Sequence, residues 1–297
     1  MNFKKYYYSL FGTWQARTKN EEDKKWFEVN SSLDYLFDLN TDNIVDDNEA
    51  PIFIFSAGWR SGSTLVQRVI SSSGNIVVWG EPFDKSNIVQ TLSSTMIPFS
   101  ENWPPDDYYY KNRSKDELYN TWIANLYPDM NTLKASHRAF FDTLFCVGKE
   151  RWGVKEVRWG KKEALYLKWL YPNSKLIFLV RNPFNSYLSY SSLGSKWYDL
   201  WPKRPIFTTY SFGKLWATLV AEFIDVSGSV DGFIVRYEDF SVNKENVVDK
   251  LAQYLGVEVD ASILSCKVGG SKLKSISFLE RAIIFFTTKR EMNLLYK

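Results

Sequence analysis

Short apolar runs bounded by glycine and proline alternate along this chain with stretches whose apolar residues recur at helical spacing. Pro51-Ile-Phe-Ile-Phe-Ser56 predicts a buried strand. Gly58-Trp-Arg-Ser-Gly62-Ser-Thr64 follows at once, and Leu65, Val66, Val69 and Ile70 then share a helical face, so a helix is predicted from near Ser63. Ile76 to Trp79 reads as a second short strand, ending at Gly80-Glu81-Pro82. Residues 85–150 read as mostly helical and irregular, with an aromatic-rich section from Trp103 to Phe145. Trp152 to Val157 reads as a strand, Lys161 to Tyr171 as a helix, and Lys175 to Arg181 as the clearest buried strand in the chain. Asn182-Pro183 stops that strand, and a helix is expected from Asn185 to Leu193. Tyr210 to Val226 predicts a long helix, Phe233 to Tyr237 a strand, Lys244 to Leu255 a helix, and Phe278 to Tyr296 a last helix.

Strands that alternate with helices imply an α/β fold with a central parallel sheet flanked by helices. In such sheets ligands sit beyond the carboxyl ends of the strands. The residues that follow the strands are therefore the candidates: Arg60 to Thr64, Glu81, Lys155, Arg181 and Arg236-Tyr237. Residues 1–50 read as an N-terminal extension, with a charged helix from Glu21 to Leu39 and an acidic, polar linker from Thr41 to Glu49. Residues 51–297 read as one domain, into which 85–150 insert a helical, aromatic-rich cap.

Composition narrows this only slightly. The 297 residues are 45% hydrophobic, enough for one large core. A net charge of +3 is too weak to argue for nucleic acid, and none is expected as a partner. Aromatics reach 17%, which suits a bulky core and also aromatic walls for a base or sugar ring. Cys146 and Cys266 are the only cysteines, so no disulfide framework is implied. No stretch approaches the roughly 20 apolar residues of a membrane span. The N-terminus lacks an apolar leader, so a cytoplasmic chain is expected. Lys4-Lys5-Tyr6-Tyr7-Tyr8 allows a brush against a membrane surface.

Two segments carry anion chemistry. In Gly58 to Thr64, glycines let the backbone curl so that N–H groups point inward, a helix N-terminus adds its dipole, and Ser63 and Thr64 add hydroxyls. The Walker pattern is not met: three residues rather than four lie between the glycines, and Ser63 stands where its Lys would be. Arg60 supplies the charge instead, which suits a phosphate ester better than a magnesium triphosphate. Taken alone, the loop reads as an anion site or as a plain strand-to-helix turn. The second segment pairs Arg181, at a strand end, with Ser189 on the following helix, where a forked cation and a hydroxyl could meet one small anion. Two such sites at adjacent strand ends imply a ligand with two separated phosphates.

Together these segments resemble the sulfotransferase family that uses 3′-phosphoadenylyl sulfate (PAPS). Arg60-Ser61-Gly62-Ser63-Thr64-Leu65 is similar to that family's loop for the 5′-phosphosulfate, and Leu176 to Pro183 with Arg181 and Ser189 is similar to its 3′-phosphate motif. The resemblance implies a P-loop-type sheet, PAPS as donor, adenosine 3′,5′-bisphosphate (PAP) as product, and no metal. Trp152-Gly-Val-Lys155 resembles a segment whose Lys assists transfer, and Val235 to Phe240 one whose Tyr237 lies by the nucleotide. The basic loop with Ser271 and Lys272 sits where the family closes over the donor, but lacks the Arg-Lys-Gly of the small-molecule branch. The resemblance also allows a homodimer.

The acceptor hydroxyl needs a base. The small-molecule branch uses His, but His137 lacks a matching surround and reads as structural or surface. Glu81, in Trp79-Gly-Glu-Pro-Phe83, is the better candidate, as in the carbohydrate and tyrosylprotein branches. Trp79 and Phe83 are expected to desolvate its carboxylate. Catalysis is thus assigned to Glu81, Lys155 and Arg60, with a saccharide or polysaccharide hydroxyl as first acceptor, protein tyrosine second, and a lipid or small alcohol third. The segment 99–145 and Leu193 to Phe207, with Trp197, Trp201 and Lys203, are expected to cap the acceptor. A P-loop kinase and a non-catalytic phosphonucleotide-binding protein are the rival classes.

Overall fold

A computed structural model of the chain describes residues 33, 35, 50–82, 87–97, 99–120, 125–148, 151–192, 206, 208–265 and 275–296. Five strands lie among them: β1 (Ile52–Ser56), β2 (Ile76–Trp79), β3 (Arg151–Glu156), β4 (Lys175–Val180) and β5 (Phe233–Arg236). They form one sheet in the order β2-β3-β1-β4-β5, and every neighbouring pair is parallel. β1 sits at the centre, with Ile54 beside both Lys155 and Ile177.

A parallel sheet is covered on both faces, so its central strands are apolar throughout rather than alternating. β1 is buried at all five positions. Phe53 and Phe55 point to one core and Ile52 and Ile54 to the other. The helices on the first face include α4 (Met130–Phe145), α5 (Lys161–Leu170), α7 (Thr209–Ser227) and α10 (Phe278–Leu295). The second face is covered by α1 (Ser63–Ser71) and α9 (Lys244–Leu255). The remaining described helices are short: α2 (Ile88–Ser94), α3 (Glu117–Asn120), α6 (Pro183–Ser191) and α8 (Asp239–Val242).

Much of the aromatic content fills the first core. Phe55 lies 5.0 Å from Phe178, and Phe178 lies 4.9 Å from Phe223. Trp159 and Trp216 are almost wholly buried. Each such ring stabilises the fold by about 1.5–3 kcal/mol relative to exposure. Leu33 is also fully buried against this cluster, while the rest of the expected helix and linker in 1–49 lies, apart from Tyr35, outside the described residues.

Two expectations shift. The helix after β4 begins at Pro183, two residues earlier than expected. Asn182 caps it by accepting from the N–H groups of Phe184 and Asn185, and Pro183 takes the first position, where its missing N–H costs nothing. From Thr95 to Asp129 the described chain is mostly irregular, with only the four-residue α3 and two single 3₁₀ turns, because Pro104, Pro105 and Pro128 interrupt helix continuation. Among the described residues no helix is long and apolar enough to cross a membrane.

Candidate active site

The strand order sets the candidate residues in a row along the carboxyl edge. Glu81 follows β2, Lys155 lies near the end of β3, the Gly58–Thr64 loop follows β1, Arg181 follows β4 and Tyr237 follows β5. Neighbouring strands lie about 4.8 Å apart, so the row spans roughly 19 Å.

The loop after β1 has positive φ at every second residue: Gly58 at 84°, Arg60 at 65° and Gly62 at 97°. Such alternation curls successive N–H groups toward one concavity, a shape that binds anions. Among the described residues, the N–H groups of Arg60 through Thr64 meet no carbonyl partner. The left-handed region costs a residue such as Arg about 1–2 kcal/mol. Two contacts hold Arg60 there: its carbonyl accepts from Arg181 Nη1 at 2.9 Å, and its Nε donates to Ser189 Oγ at 3.0 Å.

Ser189 therefore meets Arg60 across the site, whereas the sequence paired it with Arg181. Arg181 instead lays its guanidinium over the Tyr237 ring, 4.3 Å from the centroid. The Arg181 carbonyl accepts from the Trp216 indole at 2.9 Å, and Tyr237 N–H donates to Val180 at 2.7 Å. Gly62 lies directly under Tyr237: a Cβ there would stand 2.1 Å from the ring. Loop, strand end and tyrosine are thus one packed unit.

The fit to a phosphorylated ligand can be tested on polar atoms. Ser61 Oγ and Arg181 Nε are buried without a protein partner, one in the loop and one on the strand-end cation. A buried donor left unpaired costs about 1–3 kcal/mol, so both suit a ligand rich in acceptor oxygens. Ser63 is buried, Leu65 is half-buried and Thr64 is exposed in the first helical turn.

At the other end of the row, Lys155 Nζ donates to Glu81 Oε1 at 2.8 Å. Trp79, expected to line Glu81, turns its indole N–H to the Phe145 carbonyl at 2.9 Å. Beneath the ion pair lies a network the sequence reading missed. Arg158 binds both oxygens of Glu156, at 2.9 and 2.6 Å, and reaches Asn87 Oδ1 at 2.7 Å. Burial pushes the Glu156 carboxyl up from its ordinary range, while the Arg158 bonds pull it down. The available signal was the run Trp152 to Trp159, where charges interrupt an otherwise apolar stretch.

Other expectations resolve plainly. Arg236 is engaged by Asp239 and by the carbonyl of Leu295, so it braces the C-terminal helix. His137 Nδ1 pairs with the Tyr166 hydroxyl at 2.7 Å, and burial lowers its pKa. Cys146 is exposed. Ser271, Lys272, Phe83, Trp197, Trp201, Lys203 and Cys266 lie outside the described residues. Among the described residues no group of His, Cys, Asp and Glu is placed to hold a metal ion.

Residues 51–261 match the model of a protein family described as "Sulfotransferase family". Among solved structures the chain is similar to a sulfotransferase from Alicyclobacillus acidocaldarius, at 18% identity over 83% of this chain and 96% of that one, with a TM-score of 0.45. It is similar to the sulfotransferase domain from the curacin biosynthetic pathway, at 16% identity over 83% and 97%, TM-score 0.49. A third similar structure is the sulfotransferase domain of the Synechococcus PCC 7002 olefin synthase, at 18% identity over 85% and 97%, TM-score 0.47. No curated protein matches the chain.

Proposed function

This chain belongs to the sulfotransferase family, and from that premise we propose that it moves a sulfonate from PAPS to a saccharide hydroxyl, with Glu81 as base. The observation that carries the reading is the row of side chains along the sheet edge, with two basic units about the loop: Arg60, Arg181 and Ser189 on one side, and Lys155 with Glu81 on the other.

The loop N–H groups, with Ser61 to Leu65, cradle the 5′-phosphosulfate, while Arg181 and Ser189 take the 3′-phosphate. Tyr237, already stacked on Arg181, offers its ring to the adenosine. Ser271 and Lys272 are assigned to the donor by the family resemblance alone. This unit binds and orients the donor in line with the acceptor.

Glu81 Oε1 is held by Lys155, which leaves Oε2 for the acceptor proton. The acceptor oxygen forms a bond to sulfur as the bond between sulfur and the bridging phosphate oxygen breaks. The proton passes to Glu81, and PAP leaves with the bond's electron pair. As Glu81 becomes neutral, Lys155 loses its counter-charge and turns to the negative charge on the leaving oxygen. Arg60 meets the charge on the sulfonate.

A saccharide acceptor is supported by exposed aromatics between residues 99 and 127. Tyr110 and Tyr119 are largely exposed, and Tyr108 stacks with Tyr127 at 15°. Flat rings with the exposed Lys111 among them suit the apolar face of a glycan. Incubation with radiolabelled donor across glycan, tyrosine-peptide and small-alcohol acceptors tests this. Label on the glycan supports it, and label on a peptide or alcohol alone replaces the acceptor. Tight PAP binding without any transfer, or magnesium-dependent ATP turnover, overturns the reaction itself.

A further inference from the structure

The outward face of α10 alternates bare rings with bare cations. Phe278 is 88% exposed, Phe286 79% and Phe285 42%. Arg281, Lys289 and Arg290 are exposed among them, with Lys289 Nζ 5.6 Å from the Phe285 centroid. At 100° per residue these six side chains share one side of the helix. The opposite side is spent on the fold: Ile283, Ile284 and Thr288 are buried, and Thr287 packs on Gly213 of α7.

The acids of α10 do not balance these cations. Glu280 caps its own helix through Ser277 and accepts from Tyr187 at 3.0 Å. Glu291 is buried. The face offered to solvent is therefore apolar and positive at once. Rings of this size held in water mark a docking surface, and interleaved cations select an anionic one.

We infer that this face lies against an anionic phospholipid surface. The rings would enter the boundary between headgroups and acyl chains, while the cations stay at the headgroups. A second copy seated face to face would set Arg281, Lys289 and Arg290 against their own like charges. The chain's own acidic stretch 41–49 matches the cations but offers little apolar surface to the rings. A lipid surface of negative charge meets both requirements. The inference is independent of the acceptor assigned above.

Co-sedimentation of the full chain with vesicles tests it, using phosphatidylcholine alone and phosphatidylcholine mixed with phosphatidylserine. Expected are binding to the mixed vesicles only, loss of that binding at high salt, and at least about tenfold weaker partitioning for F285S/F286S and for K289E/R290E. Because these side chains are exposed, both variants should keep the wild-type melting temperature. Equal binding to neutral vesicles, no binding at all, or wild-type binding by both variants would overturn the inference. So would a concentration-dependent dimer that either variant abolishes, since the face would then be taken by another copy.

Discussion

Arg60 donates its Nε–H to the Ser189 hydroxyl at 3.0 Å, although 129 residues separate the two. The loop after β1 and the helix after β4 are thereby joined to each other directly. Residues that share a hydrogen bond and a ligand respond together. R60M and S189A should each weaken PAP binding, S189A by about tenfold for one hydrogen bond to a charged group. Their effects should fall short of additive by about 1 kcal/mol in a calorimetric double-mutant cycle. Strict additivity would mean the Arg60–Ser189 hydrogen bond does not couple the two ends of the proposed nucleotide site.

Glu81 and Lys155 test the chemistry apart from the binding. E81Q keeps shape but cannot take a proton, so turnover should drop by about 10²–10⁴-fold while PAP affinity stays near wild type. K155M should lower turnover as well, with little change in acceptor KM. Wild-type turnover in E81Q would remove Glu81 as the base.

The buried Glu156–Arg158 pair should reveal itself in stability. R158M leaves a carboxylate buried without its partner and should cost about 3–5 kcal/mol in denaturant unfolding. E156Q/R158M removes both charges and should cost clearly less than R158M. Should the double variant be worse than the single, the pair would not be the source of the loss.

His137 gives a pH signature. Burial depresses its pKa, so the folded chain holds fewer protons on this ring than the unfolded chain does. Its contribution is present above the unfolded value of about 6.5 and is lost as pH falls below it. Between pH 7 and 5.5 the wild-type melting temperature should fall by about 1–2 °C more than that of H137Q. Identical slopes for the two proteins would show that other groups govern this window.

The sheet was legible from residue type because its strands are continuous apolar runs cut off by Gly or Pro, as at Ser56-Ala-Gly58 and Asn182-Pro183. The curl of the loop after β1 was legible for a similar reason, since Gly58 and Gly62 mark the two positive-φ positions that glycine favours. Arg60 at φ 65° was not, because its conformation is imposed by Arg181 and Ser189 from far along the chain. Arg158 was read past because a charged side chain in sequence looks solvated. Only the three-dimensional packing shows Glu156 and Asn87 waiting for it. Residues 85–150 were read as mostly helical and irregular, and between Thr95 and Asp129 the prolines leave the described chain more irregular than helical.

The central position of β1 shapes how the protein must be made. Ile52 pairs with Gly153 on one side and Lys175 on the other, so both neighbours leave the ribosome long after β1 itself. Until they arrive, Ile52-Phe-Ile-Phe55 is a sticky strand with two bare edges. The curled loop Gly58–Thr64 hangs from that strand and cannot take shape earlier than it does. The loop at the end of β1 therefore gains its flanking strands only after residues 151–180 have been made.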